Sequence, residues 1–221
     1  EVAALIGRYR PDGLLLVGSD FLPEAARERA AAGQRVVRLG SGAAVPGMGQ
    51  VAMNEQTGMV RLLGYLRELG HRRVGYLAQP DPRSRRREQA LREAAAQVGL
   101  QPPLTAPPAR WRRCPRPWAD LPRAWVAFDD VTAIDAMRHW SAAGVRIPGE
   151  VSVVGVDDIP AAALVTPALT TLRQPVRAIA RRAFEQVMAS EGPATVLITP
   201  DVTVRASCAP TRQTSQGGPD S

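Results

Sequence analysis

The run from Val151 to Val156 constrains the fold more than any other segment of the 221-residue chain. Its continuous apolar character is typical of a strand buried on both faces, as in a parallel sheet. Asp157 and Asp158 follow the run directly. Ligands bind at the carboxyl ends of strands in open α/β sheets, so the sequence predicts that these two carboxylates lie at a binding edge.

Strand-like and helix-like segments alternate along the rest of the chain, which predicts an α/β fold of parallel sheet covered by helices. The other predicted strands are 13–18, 36–39, 50–53, 73–78, 124–128, 196–199 and 202–206, and the predicted helices are 22–32, 55–69, 84–98, 130–142 and 176–190. Residues 101–123 contain seven prolines. Because proline removes helix hydrogen bonds, this segment is predicted to be a long loop or a broken helix.

Composition narrows the class of protein. All 28 basic residues are arginine, against 21 acidic residues, but they are spread along helices and indicate solvated faces rather than a nucleic-acid surface. Cys114 and Cys208 are too few for a disulfide framework or a zinc site and fit the reducing cytoplasm. No apolar run approaches the ~20 residues of a membrane span, and the start lacks the pattern of a secretory signal. We therefore expect a cytoplasmic protein.

Four segments resemble the effector-binding domain of the LacI/GalR family of bacterial transcriptional regulators. They are, in order, RPDGLLLVGSD, NEQTGMVRLLGYLRELGHRRVGYLAQP, AWVAFDDVTAIDAMRHWSAAGVRIPGEVSVVGVDDIP and LTTLRQPVRAIARRAFEQVM. The resemblance implies a type I periplasmic-binding-protein-like fold, in which two Rossmann-like lobes are joined by three crossing segments and the effector lies in the cleft.

The resemblance also implies lobe boundaries. Residues 1–53 and 173–192 would form the N-terminal lobe, which we expect to be incomplete, and residues 54–172 and 193–208 the C-terminal lobe. Residues 209–221 are polar and glycine-rich and are predicted to be a disordered tail. The helix-turn-helix domain of the family is not found in this chain, so operator DNA could be bound only through such a domain elsewhere.

Asp157 matches the first aspartate of the Asp-Asp pair of the family, and the resemblance implies that this residue binds hydroxyl groups of the effector. A carboxylate can accept two hydroxyl protons at once. The alternative is an aspartate that bonds its own backbone in a turn. Asp129 stands where the family usually has asparagine, so two carboxylates would share one site. That would favour a donor-rich or cationic ligand, or raise the pKa of one carboxyl. Asp158 is predicted to be structural, and Asp130 to cap its helix.

The remaining predicted effector-binding residues are Arg87, Ser19, Gln174 and Arg173. Arg87 is aligned with the family's effector-binding arginine by counting back from Gly99, although Arg85 or Arg86 could take its place. Ser19 ends the first predicted strand, where a plain turn is the alternative. Gln174 and Arg173 lie at a lobe crossing. Trp111 or Trp118 could stack on a sugar face or belong to the core.

The family dimerises through the helix after Asp129 and the loop after Asp158. The predicted interface residues are Asp130, Ala133, Met137, Ala163, Leu164 and Val165. No metal site and no cofactor are predicted.

The leading hypothesis is a ligand-responsive regulator, a repressor whose effector is a sugar or related polyhydroxy metabolite. The alternative is a solute-binding protein of a transport system, which has the same fold. A small α/β enzyme is a third class, but no GxSxG, HExxH or P-loop motif is present.

Overall fold

Two sheets, built mainly of parallel strands, organise the chain in the computed structural model. The structure describes residues 4, 8–9, 11–18, 24–113, 120–189 and 192–211. The strands are β1 (Gly13–Val17), β2 (Arg35–Leu39), β3 (Gly49–Met53), β4 (Gly75–Leu77), β5 (Leu104–Ala106), β6 (Ala124–Ala127), β7 (Ser152–Asp157), β8 (Thr170–Arg173), β9 (Thr195–Ile198) and β10 (Asp201–Thr203). The helices are α1 (Glu24–Ala31), α2 (Glu55–Glu68), α3 (Pro82–Gln97), α4 (Pro108–Trp111), α5 (Asp130–Ala142), α6 (Pro160–Leu164) and α7 (Val176–Met188).

The chain divides into two units. The first contains Glu1–Gly58 and Gln174–Asp201, and the second contains Met59–Arg173 and Val202–Ser221. The first unit holds a four-stranded sheet in the order β1-β2-β3-β9, and its neighbouring strands are parallel. Helix α7 packs against β1, β2 and β3. The predicted α/β class is confirmed.

The second unit holds a six-stranded sheet in the order β10-β8-β7-β6-β4-β5. Every residue of β4 and β6 is buried, as expected of strands covered on both faces. Three fully buried tryptophans fill the core, namely Trp111, Trp125 and Trp140. The Trp140 ring N–H donates to the Trp111 carbonyl at 2.7 Å, so the buried indole keeps a hydrogen-bond partner. Trp111 therefore belongs to the core rather than to a ligand surface, and Trp118 lies outside the described residues.

Several predicted boundaries are wrong. Residues 54–58 belong to the first unit and Arg173 to the second. Residues 193–201 belong to the first unit, because β9 pairs in parallel with β3, with Val196 beside Val51. The tail does not begin at residue 209: the Ala209 N–H donates to Ser152 Oγ at 3.2 Å, and the Thr211 N–H donates to the Leu69 carbonyl at 2.8 Å. Residues 212–221 lie outside the described part of the chain.

The chain after β10 forms a segment, residues 206–211, that packs on the second sheet and is called the strap below. Ser207 Oγ donates to the Val153 carbonyl at 2.5 Å, and the Cys208 thiol donates to the same carbonyl at 3.5 Å. Burial raises the pKa of Cys208 to about 11. The strap thus closes against the strand that leads to the paired carboxylates.

The proline-rich segment contains more regular structure than predicted. Residues 104–106 form β5, which pairs in parallel with β4, and Pro108–Trp111 form the short helix α4. A three-residue strand is too short to give an alternating or continuous apolar pattern, so its sequence carried no signal.

The contact between Gly75 and Trp125 provides a test of the packing in the core of the second unit. A Cβ added to Gly75 would lie 2.2 Å from Trp125 Cε3. We therefore expect Gly75→Ala to lower the free energy of unfolding by about 2 kcal/mol through overpacking. Urea titration followed by tryptophan fluorescence measures the change.

Gly64→Ala is the matched control, because Gly64 lies in α2 and an added Cβ would meet nothing within 4 Å. It should stabilise the protein by about 0.5–1 kcal/mol, the usual gain from replacing glycine within a helix. Equal effects of the two substitutions would contradict the packing described here.

Candidate ligand-binding site

The carboxyl ends of adjacent strands bring polar side chains together at one edge of the second sheet. β6 lies between β7 and β4 in this sheet. β7 ends at Asp157, and Asp129 follows two residues after the end of β6. The predicted site therefore lies at the edge where open α/β sheets bind ligands.

Asp157 presents a half-buried carboxylate at this edge. That carboxylate accepts no hydrogen bond from the described residues. The backbone of Asp157 has a positive φ of 116°. Burial raises the pKa of Asp157 to about 6; Arg87 opposes the rise, and the neighbouring carboxylates of Asp130 and Asp129 add to it. The prediction that two nearby carboxylates raise the pKa of one of them is consistent with this direction.

Asp129 combines a structural role with a free acceptor. Its Oδ1 accepts the Thr132 N–H at 2.7 Å, which makes Asp129 the N-cap of α5. The prediction that Asp130 caps this helix is wrong, because the extended backbone of Asp129, with φ −147° and ψ 176°, is the one that places a side chain over the first turn. Oδ2 of Asp129 accepts no hydrogen bond from the part of the chain that the structure describes.

Two arginines of α3 flank an aromatic ring at the site. The Arg87 guanidinium carbon lies 5.2 Å from the centre of the Phe128 ring, and that of Arg83 lies 5.5 Å from it. Arg87 also donates to the Phe128 carbonyl. Asp81 holds the Arg83 guanidinium through a 2.6 Å hydrogen bond, while Arg85 is exposed. The positive charge of Arg87 lowers the pKa of Asp157 more than that of Arg83 does.

Asp158 and Asp130 are structural, in contrast to the acids that precede them. The Asp158 carboxylate pairs with Arg173 and Arg205, each at 2.6 Å, which confirms its predicted structural role. Asp130 is 1% exposed, and its carboxylate accepts Thr171 Oγ1–H at 2.5 Å and the Ile159 N–H at 2.9 Å. Each pair of adjacent acids thus leaves one carboxylate at the site edge.

The other predicted effector-binding residues are Arg173, Gln174 and Ser19, and Arg173 is the residue of β8 that pairs in register with Asp157. Arg173 is exposed and its Nε is engaged by Asp158. Gln174 is half-buried and belongs to the first unit. Ser19 lies outside the described residues.

Half of the predicted dimer interface is contradicted by burial. Asp130, Ala133 and Met137 are at most 4% exposed, because their side chains face the core of their own unit. Leu164 is 82% exposed and Ala163 is exposed beside it, while Val165 is half-buried. These three residues stay available to a partner.

Sequence reasoning missed Arg83 and Phe128. Arg83 lies one helical turn before Arg87, and residues four apart share a helix face, so the spacing was a usable signal. Phe128 directly precedes Asp129 but reads as the last residue of a buried strand. In the described ranges, no group of three acidic, histidine or cysteine side chains is arranged to hold a metal ion. No helix there is both long and apolar enough to cross a bilayer.

The parallel two-unit fold and a polar site at a sheet edge define a ligand-binding domain of the periplasmic-binding-protein class. The family model described as "Periplasmic binding protein-like domain" matches residues 63–208. This chain belongs to that family. The HTH-type transcriptional regulator GntR of Pseudomonas aeruginosa is 30% identical over 201 residues, which cover 82% of this chain and 56% of the relative. The chain spans about half or less of the length of the curated relatives it matches.

Solved structures agree with the fold. The transcriptional regulator CelR in complex with cellobiose superimposes with a TM-score of 0.76 at 25% identity, over 93% of this chain and 68% of that one. A LacI-family regulator from Enterococcus faecium with bound ribose gives a TM-score of 0.78 at 19% identity, over 96% and 84% of the two chains. The resemblance to the effector-binding domain of the LacI/GalR regulators is confirmed.

The raised pKa of Asp157 predicts a pH-dependent effect of Asp157→Asn. The folded protein holds this proton more tightly than the unfolded chain does, since the pKa rises from 3.8 to about 6. The stability that this proton contributes is present below the unfolded pKa and is lost as the pH rises to the folded value. Asparagine cannot ionise, so the variant should gain about 1–2 kcal/mol relative to wild type at about pH 7 and almost nothing near pH 4, measured by urea unfolding.

Asp158→Asn should change the free energy of unfolding in the opposite direction. Burial raises the pKa of Asp158, but hydrogen bonds from Arg205 and Arg173 outweigh burial and leave the pKa below its ordinary value. Its contribution is present above the unfolded pKa and is lost as the pH falls, so this variant should be destabilised at neutral pH. A loss of stability in Asp157→Asn at neutral pH would contradict the raised pKa.

Proposed function

We propose that this chain is the effector-binding and dimerisation core of a ligand-responsive transcriptional regulator, a repressor whose effector is a sugar or a related polyhydroxy metabolite. The observation that carries the proposal is the Asp157 carboxylate, half-buried at the carboxyl edge of the second sheet and without a hydrogen bond from the described residues. An ionised carboxylate in that position can accept two neighbouring hydroxyls of a ligand.

The groups around Asp157 complement a polyhydroxy ligand. Oδ2 of Asp129 supplies a second acceptor, and the guanidinium of Arg87 supplies donors for ring or hydroxyl oxygens. Both guanidinium groups lie next to the Phe128 ring, with the carbon of Arg87 5.2 Å and that of Arg83 5.5 Å from its centre. Two carboxylates and two arginines give a site that can match both donors and acceptors of one hydroxylated ring. Cellobiose and ribose, bound by two of the similar structures, are ligands of this chemistry.

The regulatory part of the proposal follows from the relatives, which are transcriptional regulators with this type of domain. We propose that operator DNA is contacted through a helix-turn-helix domain outside this chain, in the cytoplasm. An effector that binds one conformation better than another shifts the population toward it, and DNA affinity changes accordingly. We assign the chain no catalytic step.

We further propose that the dimer contact uses Ala163, Leu164 and Val165 at the end of α6. Leu164 is 82% exposed, and Val131 on the first turn of α5 is 64% exposed. A partner that covers Leu164 and Val131 would remove both apolar side chains from water.

Effector binding by Asp157 is tested with a thermal-shift screen of D-ribose, cellobiose, sugar phosphates, nucleosides and polyamines. For the ligand with the largest shift, Asp157→Ala should lower affinity by at least about tenfold, because hydrogen bonds to a charged group contribute about 1.5–3 kcal/mol. Isothermal titration calorimetry measures the dissociation constant.

The matched control is Asp135→Ala, which removes a carboxylate from the outer side of α5, where it pairs with Arg112 and Arg138. Its affinity should equal that of wild type. An unchanged affinity in Asp157→Ala would show that the site is placed wrongly.

Dimerisation is tested by Leu164→Glu. A buried, unpaired carboxylate is costly, so the substitution should shift the chain toward monomer at micromolar concentration. Sedimentation velocity measures the mass of the sedimenting species. Val176→Glu is the control, since Val176 is also an exposed apolar residue, at 59%, but lies in the first unit. If only Val176→Glu dissociates the dimer, the interface is not the one proposed.

A further inference from the structure

An ion-pair cluster centred on Asp158 lies immediately beside the candidate site. Arg173 Nε donates to Asp158 Oδ2 at 2.6 Å, and Arg205 Nη2 donates to Oδ1 at 2.6 Å. Thr203 Oγ1 also donates to Oδ2, at 3.3 Å. The Asp158 side chain is only 9% exposed and that of Arg205 is 20% exposed. The Arg205–Asp158 pair is largely shielded from water, and such charge-assisted hydrogen bonds are stronger than exposed ion pairs, whereas the Arg173 side chain is 58% exposed.

The partners of Asp158 flank two of the places where the chain passes from one unit to the other. Arg173 is the last residue of the second unit before the chain enters the first, and the chain returns to the second unit at Val202. Thr203 and Arg205 follow that return. One carboxylate therefore binds the departing segment and the returning segment together.

Arg205 is fixed on the second sheet by contacts beyond the ion pair. Its Nη1 donates to the Leu169 carbonyl at 2.8 Å, and its backbone N–H donates to Thr170 Oγ1 at 2.9 Å. Both acceptors lie at the start of β8, the strand that ends in Arg173. The two arginines thus hold Asp158 from opposite ends of one strand.

Asp158 is also joined to the site residue Asp157 by the peptide bond between them. Both residues have positive φ angles, 116° for Asp157 and 59° for Asp158. Non-glycine residues adopt such angles when the surroundings impose them. The Asp158 N–H donates to Thr171 Oγ1 at 3.3 Å, and Asp157 pairs in register with Arg173 across β7 and β8. The direction of the Asp157 side chain is therefore tied to the position of its neighbour.

We infer that Asp158 is a positioning residue that couples the segment leaving the second unit to the segment re-entering it, at the turn that carries Asp157. Coupling is reciprocal, so a change at either arginine alters the turn and the opposite segment.

A merely local ion pair would behave differently. In that case each arginine would stabilise only its own segment, and removing it would not change amide exchange in the other segment. The cross effect between segments is therefore the property that separates coupling from local stabilisation.

The experiment measures amide hydrogen exchange by NMR in the ligand-free protein. The Ile179 N–H, which donates to the Pro175 carbonyl, reports the departing segment, and the Ala206 N–H, which donates to the Ala168 carbonyl, reports the returning one. Arg205→Gln should speed exchange at Ile179, and Arg173→Gln should speed exchange at Ala206, each about fivefold. Asp158→Asn should speed both.

Arg146→Gln is the control, because Arg146 pairs with Glu150 on an exposed surface, with its own side chain 73% exposed. It should change neither amide. Arg205→Lys keeps the charge and should restore most of the protection at Ile179.

Acceleration confined to the segment that carries each substitution would overturn the inference. An equal acceleration at the Val126 amide, in the centre of the sheet, would also count against it, because it would show a general loss of stability. The measurement contains no ligand, so its outcome is independent of the effector screen that tests the proposed function.

Discussion

The buried carboxylate of Asp130 is the interaction on which the binding edge depends. It accepts hydrogen bonds from the Ile159 N–H, just after β7, and from the Thr171 hydroxyl of β8, so it joins the first turn of α5 to both. Burial raises its pKa, and the hydrogen bond from Thr171 works against that rise. A Cβ on Gly155 would lie 2.0 Å from Asp130 Oδ1, so a residue without a side chain is needed beneath it.

The two pairs of adjacent acids divide their work in the same way. The first member of each pair, Asp129 and Asp157, has a carboxylate oxygen that accepts no hydrogen bond from the described residues, and the second, Asp130 and Asp158, binds protein donors. Ionised carboxylates placed side by side repel one another. Hydrogen bonds from protein donors to Asp130 and Asp158 offset this repulsion for two of the four carboxylates. The site therefore keeps two acceptors within a scaffold that is itself held by charge-assisted hydrogen bonds.

Much of the fold could be predicted from the sequence, because apolar runs and helical spacing report burial directly. The partner of a strand is not contained in such a pattern. The run 196–199 was predicted as a strand, but nothing local shows that it pairs with β3 rather than joining the second sheet. The short β5 gave no pattern at all.

The candidate site was predicted only in part, for related reasons. The positions of Asp157 and Asp129 followed from strand ends and from the family resemblance. Which of two adjacent acids caps a helix depends on backbone angles, which the sequence does not display. The error at the dimer face was avoidable: Ala133, Met137 and Trp140 recur at helical spacing and mark the buried stripe of α5.

The strap of residues 206–211 has a practical consequence. Its Cys208 thiol has a pKa raised by burial to about 11, so near neutral pH almost none of it is the reactive thiolate while the strap stays docked. Detachment would return the thiol to water and to ordinary reactivity. In a chain whose Cys114 is replaced, the rate of Cys208 alkylation would therefore report how often the strap detaches from β7. A fusion partner would be better joined after Thr211 than before Ser207, because the strap would then stay intact.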